Sequence, residues 1–151
     1  MPQSLANVLL HIVFSTKERR ALLQNPTLRD EMHRYIAGVS ANLGCPAIIV
    51  GGATDHVHLL ANQSRKIALA EWVKEIKRAS SLWAKKRDAQ WDLFQWQAGY
   101  GAFSVSQSRK GRVQEYIRSQ EEHHRRLSFQ DELRQLLTKH NVAFDERYVW
   151  D

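Results

Sequence analysis

His56-Val57-His58 and, far downstream, Tyr116-Ile117-Arg118-Ser119-Gln120 are the residues of this chain whose types and spacing can do chemistry. A strand turns residues i and i+2 to one face, so the two imidazoles can share one divalent ion. A helix turns residues i and i+4 to one face, so the Tyr116 phenol and the Gln120 amide point the same way. Two imidazoles, an amide oxygen and a phenol are the parts of a metal-assisted tyrosine attack on a phosphodiester, chemistry that makes and breaks DNA strands. A phenol ionises near ~10, far below a sugar hydroxyl, so its phosphate ester is reactive and keeps the bond energy for rejoining without ATP. The sequence has no Gly-rich phosphate loop, which fits a reaction that uses no nucleotide cofactor.

Each motif also has a plainer reading. A lone His-x-His can be two hydrogen-bonded histidines on a half-exposed strand. Val113, Tyr116, Ile117, Gln120 and His124 follow helical spacing, so Tyr116 can be a core residue with its hydroxyl at the surface. His11 is a rival to Gln120 as third ligand, although it reads better as a satisfied sheet histidine. His123 and His124 are adjacent on a helix, about 100° apart, and so are poor joint ligands. They read as surface or DNA-facing.

The elements that must position these residues follow from pattern. Ala6 to Ser15 alternates, with Val8, Leu10, Ile12 and Phe14 on one strand face. Asn25-Pro26-Thr27 starts a helix over Leu28 to Leu43, with Met32, Tyr35, Ile36 and Val39 as its stripe and Gly44 as its cap. Pro46 to Val50 and Asp55 to Ala61 form a hairpin around Gly51-Gly52. Val57, Leu59 and Ala61 face one way there, and His56, His58 and Leu60 the other. Ile67 to Lys86 is a helix with Leu69, Trp72, Val73, Ile76 and Trp83 turned inward. Phe94 to Ser106 reads as an aromatic strand, Arg109 opens the Tyr116 helix, and Ser128 caps another to about Lys139. The tail Phe144 to Asp151 packs back on the body.

The order β-α-β-β-α-β predicts an α+β, ferredoxin-like (RRM-like) antiparallel sheet with two helices on one face and extra C-terminal helices. Alternation puts His56 and His58 on the other face, which those extra helices can cover. At 151 residues, with no repeat or linker, residues 1–151 read as one domain. Cys45 is the only cysteine, so no intramolecular disulfide forms. With no signal pattern or long apolar run, a cytoplasmic location and no membrane partner are expected.

The net charge is +6, which favours a polyanionic partner. Candidate DNA contacts are Lys17, Arg19 and Arg20; Lys74, Lys77, Arg78 and Lys85; and Arg109, Lys110 and Arg112. Such contacts supply salt-dependent affinity rather than sequence choice. Aromatic residues between Phe94 and Phe103 can stack on unpaired bases.

Four segments in order resemble a known family: Phe14-Ser15-Thr16-Lys17-Glu18-Arg19-Arg20, Asp55-His56-Val57-His58-Leu59-Leu60, Gly99-Tyr100-Gly101-Ala102-Phe103-Ser104-Val105-Ser106 and Tyr116-Ile117-Arg118-Ser119-Gln120-Glu121-Glu122-His123-His124. The chain is similar to the single-tyrosine transposases of the smallest bacterial insertion sequences, the IS-two-hundred type, within the His-hydrophobic-His nucleases. The resemblance implies Tyr116 as nucleophile, His56, His58 and Gln120 as ligands of Mg2+ or Mn2+, and single-stranded DNA with hairpins as substrate. It also implies a homodimer, in which the tyrosine helix of one subunit can complete the other's site. The expected function is cleavage and rejoining of single-stranded DNA at insertion-sequence ends through a 5′-phosphotyrosine link. The alternative is a non-catalytic, regulatory binder of hairpin single strands derived from a transposase.

Overall fold

The computed structural model describes residues 2–151. Strand β1 (Leu9–Ser15) leads through helix α1 (Pro26–Asn42) to β2 (Ala47–Gly52), β3 (His56–Asn62), helix α2 (Leu69–Arg87) and β4 (Gly101–Ser104). Helices α3 (Lys110–Arg118), α4 (Gln120–His123) and α5 (Phe129–Lys139) complete the order. The sheet runs β2-β3-β1-β4, with every neighbouring pair antiparallel. This is the ferredoxin-like α+β arrangement expected from the element order.

Local chemistry sets the boundaries. The Asn25 side chain accepts from the backbone N–H groups of Thr27 and Leu28, and Pro26 occupies the first turn of α1. Past the other end, Gly44 sits at φ +79°, a conformation that glycine adopts at no steric cost. The Ser128 hydroxyl accepts from Asp131 N–H and starts α5.

Alternation then builds two different faces. Under α1 and α2, Ile12, Phe14, Val57, Leu59, Met32, Ile36, Trp72 and Ile76 form an apolar core. The buried indoles of Trp72 and Trp96 donate to the Ser40 and Ser80 hydroxyls, at 3.0 and 2.9 Å, so neither polar tip is stranded. Trp83 stands at the rim rather than in the core, half-buried and stacked on Tyr35. The opposite face carries His11, His56, His58 and Leu60 and is covered by the C-terminal helices.

Three sequence expectations change. The hairpin glycines do not stop β2, which continues through Gly51 and Gly52. The aromatic stretch is a strand only at Gly101–Ser104; before it the chain is irregular, joined to β1 by a single Thr16–Trp96 bridge. Phe94, Trp96 and Phe103 spend their rings in the two cores, so that segment leaves only Tyr100 exposed for stacking. Finally, the tyrosine helix breaks at Ser119, which separates α3 from α4. The tail does pack back: Val149 and Trp150 lie against Phe103, Phe129 and Leu133. No helix among the described residues is long and apolar enough to cross a membrane.

Candidate active site

His56 and His58 project from β3 onto the face covered by α3, α4 and α5, and both are fully buried. Gly51 on β2 pairs with His58 across the ladder, so its missing side chain would rise on that same face. A Cβ there would stand 2.6 Å from the Ile117 carbonyl oxygen and 2.8 Å from Ile117 Cγ2. Glycine therefore lets the tyrosine helix rest directly on the edge strand, beside the histidine pair. Arg29, buried on α1, donates to the Leu23 carbonyl and pairs with Glu121, next to Gln120, which holds the start of α4.

Around the pair the polar groups converge on Glu132 of α5. Its carboxylate accepts from His58 Nε2 at 3.1 Å, His124 Nε2 at 3.0 Å and Gln120 Nε2 at 3.0 Å, and from the Tyr116 hydroxyl. Burial alone would raise this carboxyl's pKa, but hydrogen bonds from His124 and His58 and the nearby imidazoles outweigh it. The group is held well below the usual carboxylate range. The Tyr116 phenol is pushed up from its ordinary value, first by burial and then by the Glu132 charge. Burial lowers His58 to about 4, so it is neutral near pH 7.

The next layer fixes the rings. His56 Nδ1 donates to Asp55 Oδ1 at 2.7 Å, the orientation a carboxylate gives to a metal-binding imidazole. That leaves the His56 Nε2 lone pair facing Gln120 Oε1 at 3.1 Å. Two acceptors this close call for a cation between them, a proton or a metal ion. His11 Nε2 meets His58 Nδ1 at 2.7 Å, so the tautomers of these two rings are linked: His58 can present a free Nε2 only if its Nδ1 hydrogen goes to His11. His11 thus braces the His58 ring, and its Nε2 is taken up by that contact.

Ligand atoms of His56, His58, His124 and Glu132 all lie within 4.8 Å of one another. Neutral imidazoles, a carboxylate and the opposed Gln120 oxygen fit a divalent metal, and this group could bind one. The site opens on one side into a cleft of about 420 Å³, lined by Tyr116 together with Arg109, Arg112 and Lys139.

The sequence-predicted set is brought together in one chain: Tyr116, His56, His58 and Gln120 share this site. His124 is corrected from a surface position: its side chain is 10% exposed and hydrogen-bonded to Glu132. His123 sits at the edge, half-exposed, near the Tyr116 ring. Glu132 and Asp55 were missed as functional residues. Glu132 did carry a signal, as the acid between Phe129 and Leu133 on an otherwise apolar helix face. His124 carried one too, continuing the i, i+4 spacing of Tyr116 and Gln120.

The predicted basic residues divide. Arg109 and Arg112 flank the Tyr116 cleft, and half-buried Lys110 does not line it. Lys17, Lys77, Arg78 and Lys85 line a second cleft of about 660 Å³, with Trp96 and Trp150. In it Lys77 is committed to the carbonyls of Gln97, Ala98 and Gly99, and Arg78 is paired with Glu75 at 2.8 Å. Arg19 stacks over Trp150, exposed Arg20 pairs with Glu18, and Lys74 is exposed outside both clefts.

Residues 4–120 match the family described as transposase IS200 like. The chain belongs to the IS200-like transposases. Its sequence is 26% identical over 115 residues to the ISDra2 transposase TnpA of Deinococcus radiodurans, covering 73% of this chain and 81% of that protein. Its fold is similar to a crystal structure of a transposase from Deinococcus radiodurans R1, at a TM-score of 0.62 and 21% identity, covering 80% of this chain and 96% of that one. It is also similar to a REP-associated tyrosine transposase bound to a REP hairpin, at a TM-score of 0.55 and 15% identity, covering 79% and 70%. The family match spans both histidines, Tyr116 and Gln120 and ends there; His124 and Glu132 lie beyond it.

Proposed function

We propose that this transposase cleaves and rejoins single-stranded DNA through Tyr116. The observation that carries the reading is the convergence of Tyr116, His58, Gln120 and His124 on one buried carboxylate, beside a cleft lined by unpaired cations. A regulatory hairpin binder has no use for such a set.

In the proposed step the Tyr116 oxygen attacks phosphorus and a tyrosine–phosphate bond forms. The bond from phosphorus to the 3′-oxygen breaks, and that oxygen leaves and takes up a proton. The Tyr116 proton leaves through solvent water as the bond forms, and Glu132, which accepts its hydrogen bond, orients the oxygen. Attack by a second 3′-hydroxyl reverses the sequence and joins a new end. The raised pKa of Tyr116 means that the phenol loses its proton as phosphorus is attacked rather than beforehand. His56, His58 and Gln120, with Glu132 and His124 adjoining, would hold Mg2+ or Mn2+, which supplies charge withdrawal from the phosphodiester oxygens. The DNA partner is single-stranded with hairpins, gripped through Lys17, Arg19, Lys74, Lys85, Arg109, Lys110 and Arg112, while Arg20, Lys77 and Arg78 are held by protein groups and stand beside that path. In the homodimer the resemblance implies, each chain carries a full set of site residues.

The test is covalent capture. Wild type and Tyr116→Phe are incubated with labelled single strands from the DNA flanking the reading frame, with and without Mn2+, and run on a denaturing gel. A metal-dependent protein–DNA band in wild type, absent in Tyr116→Phe, is expected. Tight binding with no band, on either strand and with longer flanks, would instead favour the regulatory binder.

A further inference from the structure

The cleft beside Tyr116 holds more than the phosphate chemistry requires. At about 420 Å³ it falls in the range of small-ligand sites, roughly 300–1,000 Å³. One wall is apolar, made by Val105, Val113 and Leu136. Arg109, Arg112 and Lys139 line the same space, and none of the three forms an ion pair among the described residues. Elsewhere Arg78, Arg118, Arg134 and Arg147 each have a carboxylate within 3 Å, while Arg34, Arg65, Arg125 and Arg126 form no ion pair among the described residues and do not share a cleft with Tyr116. Cations left unpaired around an apolar wall, next to a nucleophile, match a ligand with a flat apolar body and negative ends. His140, stacked on Phe103, lines the cleft as well. Its pKa is lowered from the ordinary imidazole value, by burial first and then by the charges of Lys139 and Arg109, so near pH 7 it adds a neutral ring to the wall.

Building on the function proposed above, we infer that this cleft seats one nucleotide adjoining the scissile phosphate, swung out of the stack. The base lies against Val113, Leu136 and His140, and its phosphates meet Arg109, Arg112 and Lys139. Extrusion of one base would fix the register of the strand, so that the Tyr116 hydroxyl faces a single phosphodiester. Single-stranded DNA has no pairing to lose, which makes the extrusion cheap.

Once capture has located the cleaved bond, abasic sites are placed at each of its two flanking positions in turn. Wild type should be captured roughly tenfold more slowly at one of them, the scale of one lost base contact. Leu136→Trp, which fills the wall, should slow the intact strand to that abasic rate and leave the abasic strand unchanged. Lys139→Ala, an exposed and fold-safe change, should weaken binding and flatten its salt dependence. Without any chemistry, Tyr116→Phe bound to a strand carrying 2-aminopurine at the sensitive position should raise its fluorescence as the base unstacks. An active wild type captured equally fast on intact and abasic strands, or a 2-aminopurine signal that does not move at either position, overturns the nucleotide seat. A wild type that captures no DNA at all strikes instead at the function on which it rests.

Discussion

The two faces of the sheet are built from the same strands by opposite rules. On the α1/α2 face, Ile12, Phe14, Val57 and Leu59 are wholly apolar and need only volume and shape. On the other face, the alternate residues of the same strands include, beside the apolar Val13 and Leu60, the histidines His11, His56 and His58, equally buried but polar. Burying a polar group without a partner costs on the order of 1–3 kcal/mol, so each of these must find one. They do: His11 on His58, His56 on Asp55, and His58, His124, Gln120 and Tyr116 on Glu132. One face therefore contributes stability by exclusion of water, and the other spends that stability on a polar set organised for chemistry.

The sharpest way to break this contrast is to cut neighbouring residues of β3 that face opposite ways. Leu59→Ala should cost about 2–5 kcal/mol of stability, as a fully buried leucine leaves a cavity. It should leave the Mn2+ affinity of the folded protein within about twofold. His58→Ala should lose Mn2+ affinity by more than the roughly 10–100-fold typical of a lost supporting residue. Denaturant unfolding and calorimetric Mn2+ titration on both variants read this directly. Proportional losses in both quantities for Leu59→Ala would mean that the faces are not separate in function.

A subtler cut is at the seat of the tyrosine helix. Gly51→Ala puts a methyl against the Ile117 carbonyl, and the helix has to move off β2. A displacement of about 1 Å can cost on the order of 100-fold in rate, so covalent capture should slow by that order. DNA binding should largely hold, because the cleft lined by Lys17 and Lys85 lies away from the displaced helix. Gly38→Ala, where a Cβ meets nothing within 4 Å, is the control and should cut normally. Loss of binding in step with cutting would reduce Gly51 to a folding residue.

Much of this was legible in the sequence, for reasons that can be named. Alternation in β1 and β3 and the caps at Asn25, Gly44 and Ser128 are local signals, so the element order and the faces of His56 and His58 follow from short windows. Phe94 and Trp96 misled because aromatic residues raise strand propensity, while here they plug the core from an irregular segment. Glu132 stayed hidden as a site residue because its partner His58 is distant in sequence, and only tertiary packing closes that contact. The helix break at Ser119 has no Pro or Gly to announce it.

The smallest expected effect compares a histidine inside the polar set with one outside it. His58 has partners at both ring nitrogens, whereas His33 on α1 has a buried Nε2 with none. Burial lowers His33 to about 4, against about 6.5 unfolded. Between those values the unfolded chain binds more protons than the folded one, so His33 contributes full stability above pH 6.5 and loses it as pH falls toward 4. From pH 7 to pH 5 the loss should be roughly 1–2 kcal/mol from this one group. His33→Gln carries no such titration, so its urea midpoint should fall less steeply over that range than that of wild type. If the two profiles stay parallel, His33 gains a proton partner on folding that offsets its burial, and the acid sensitivity belongs to the His11–His58 side of the sheet.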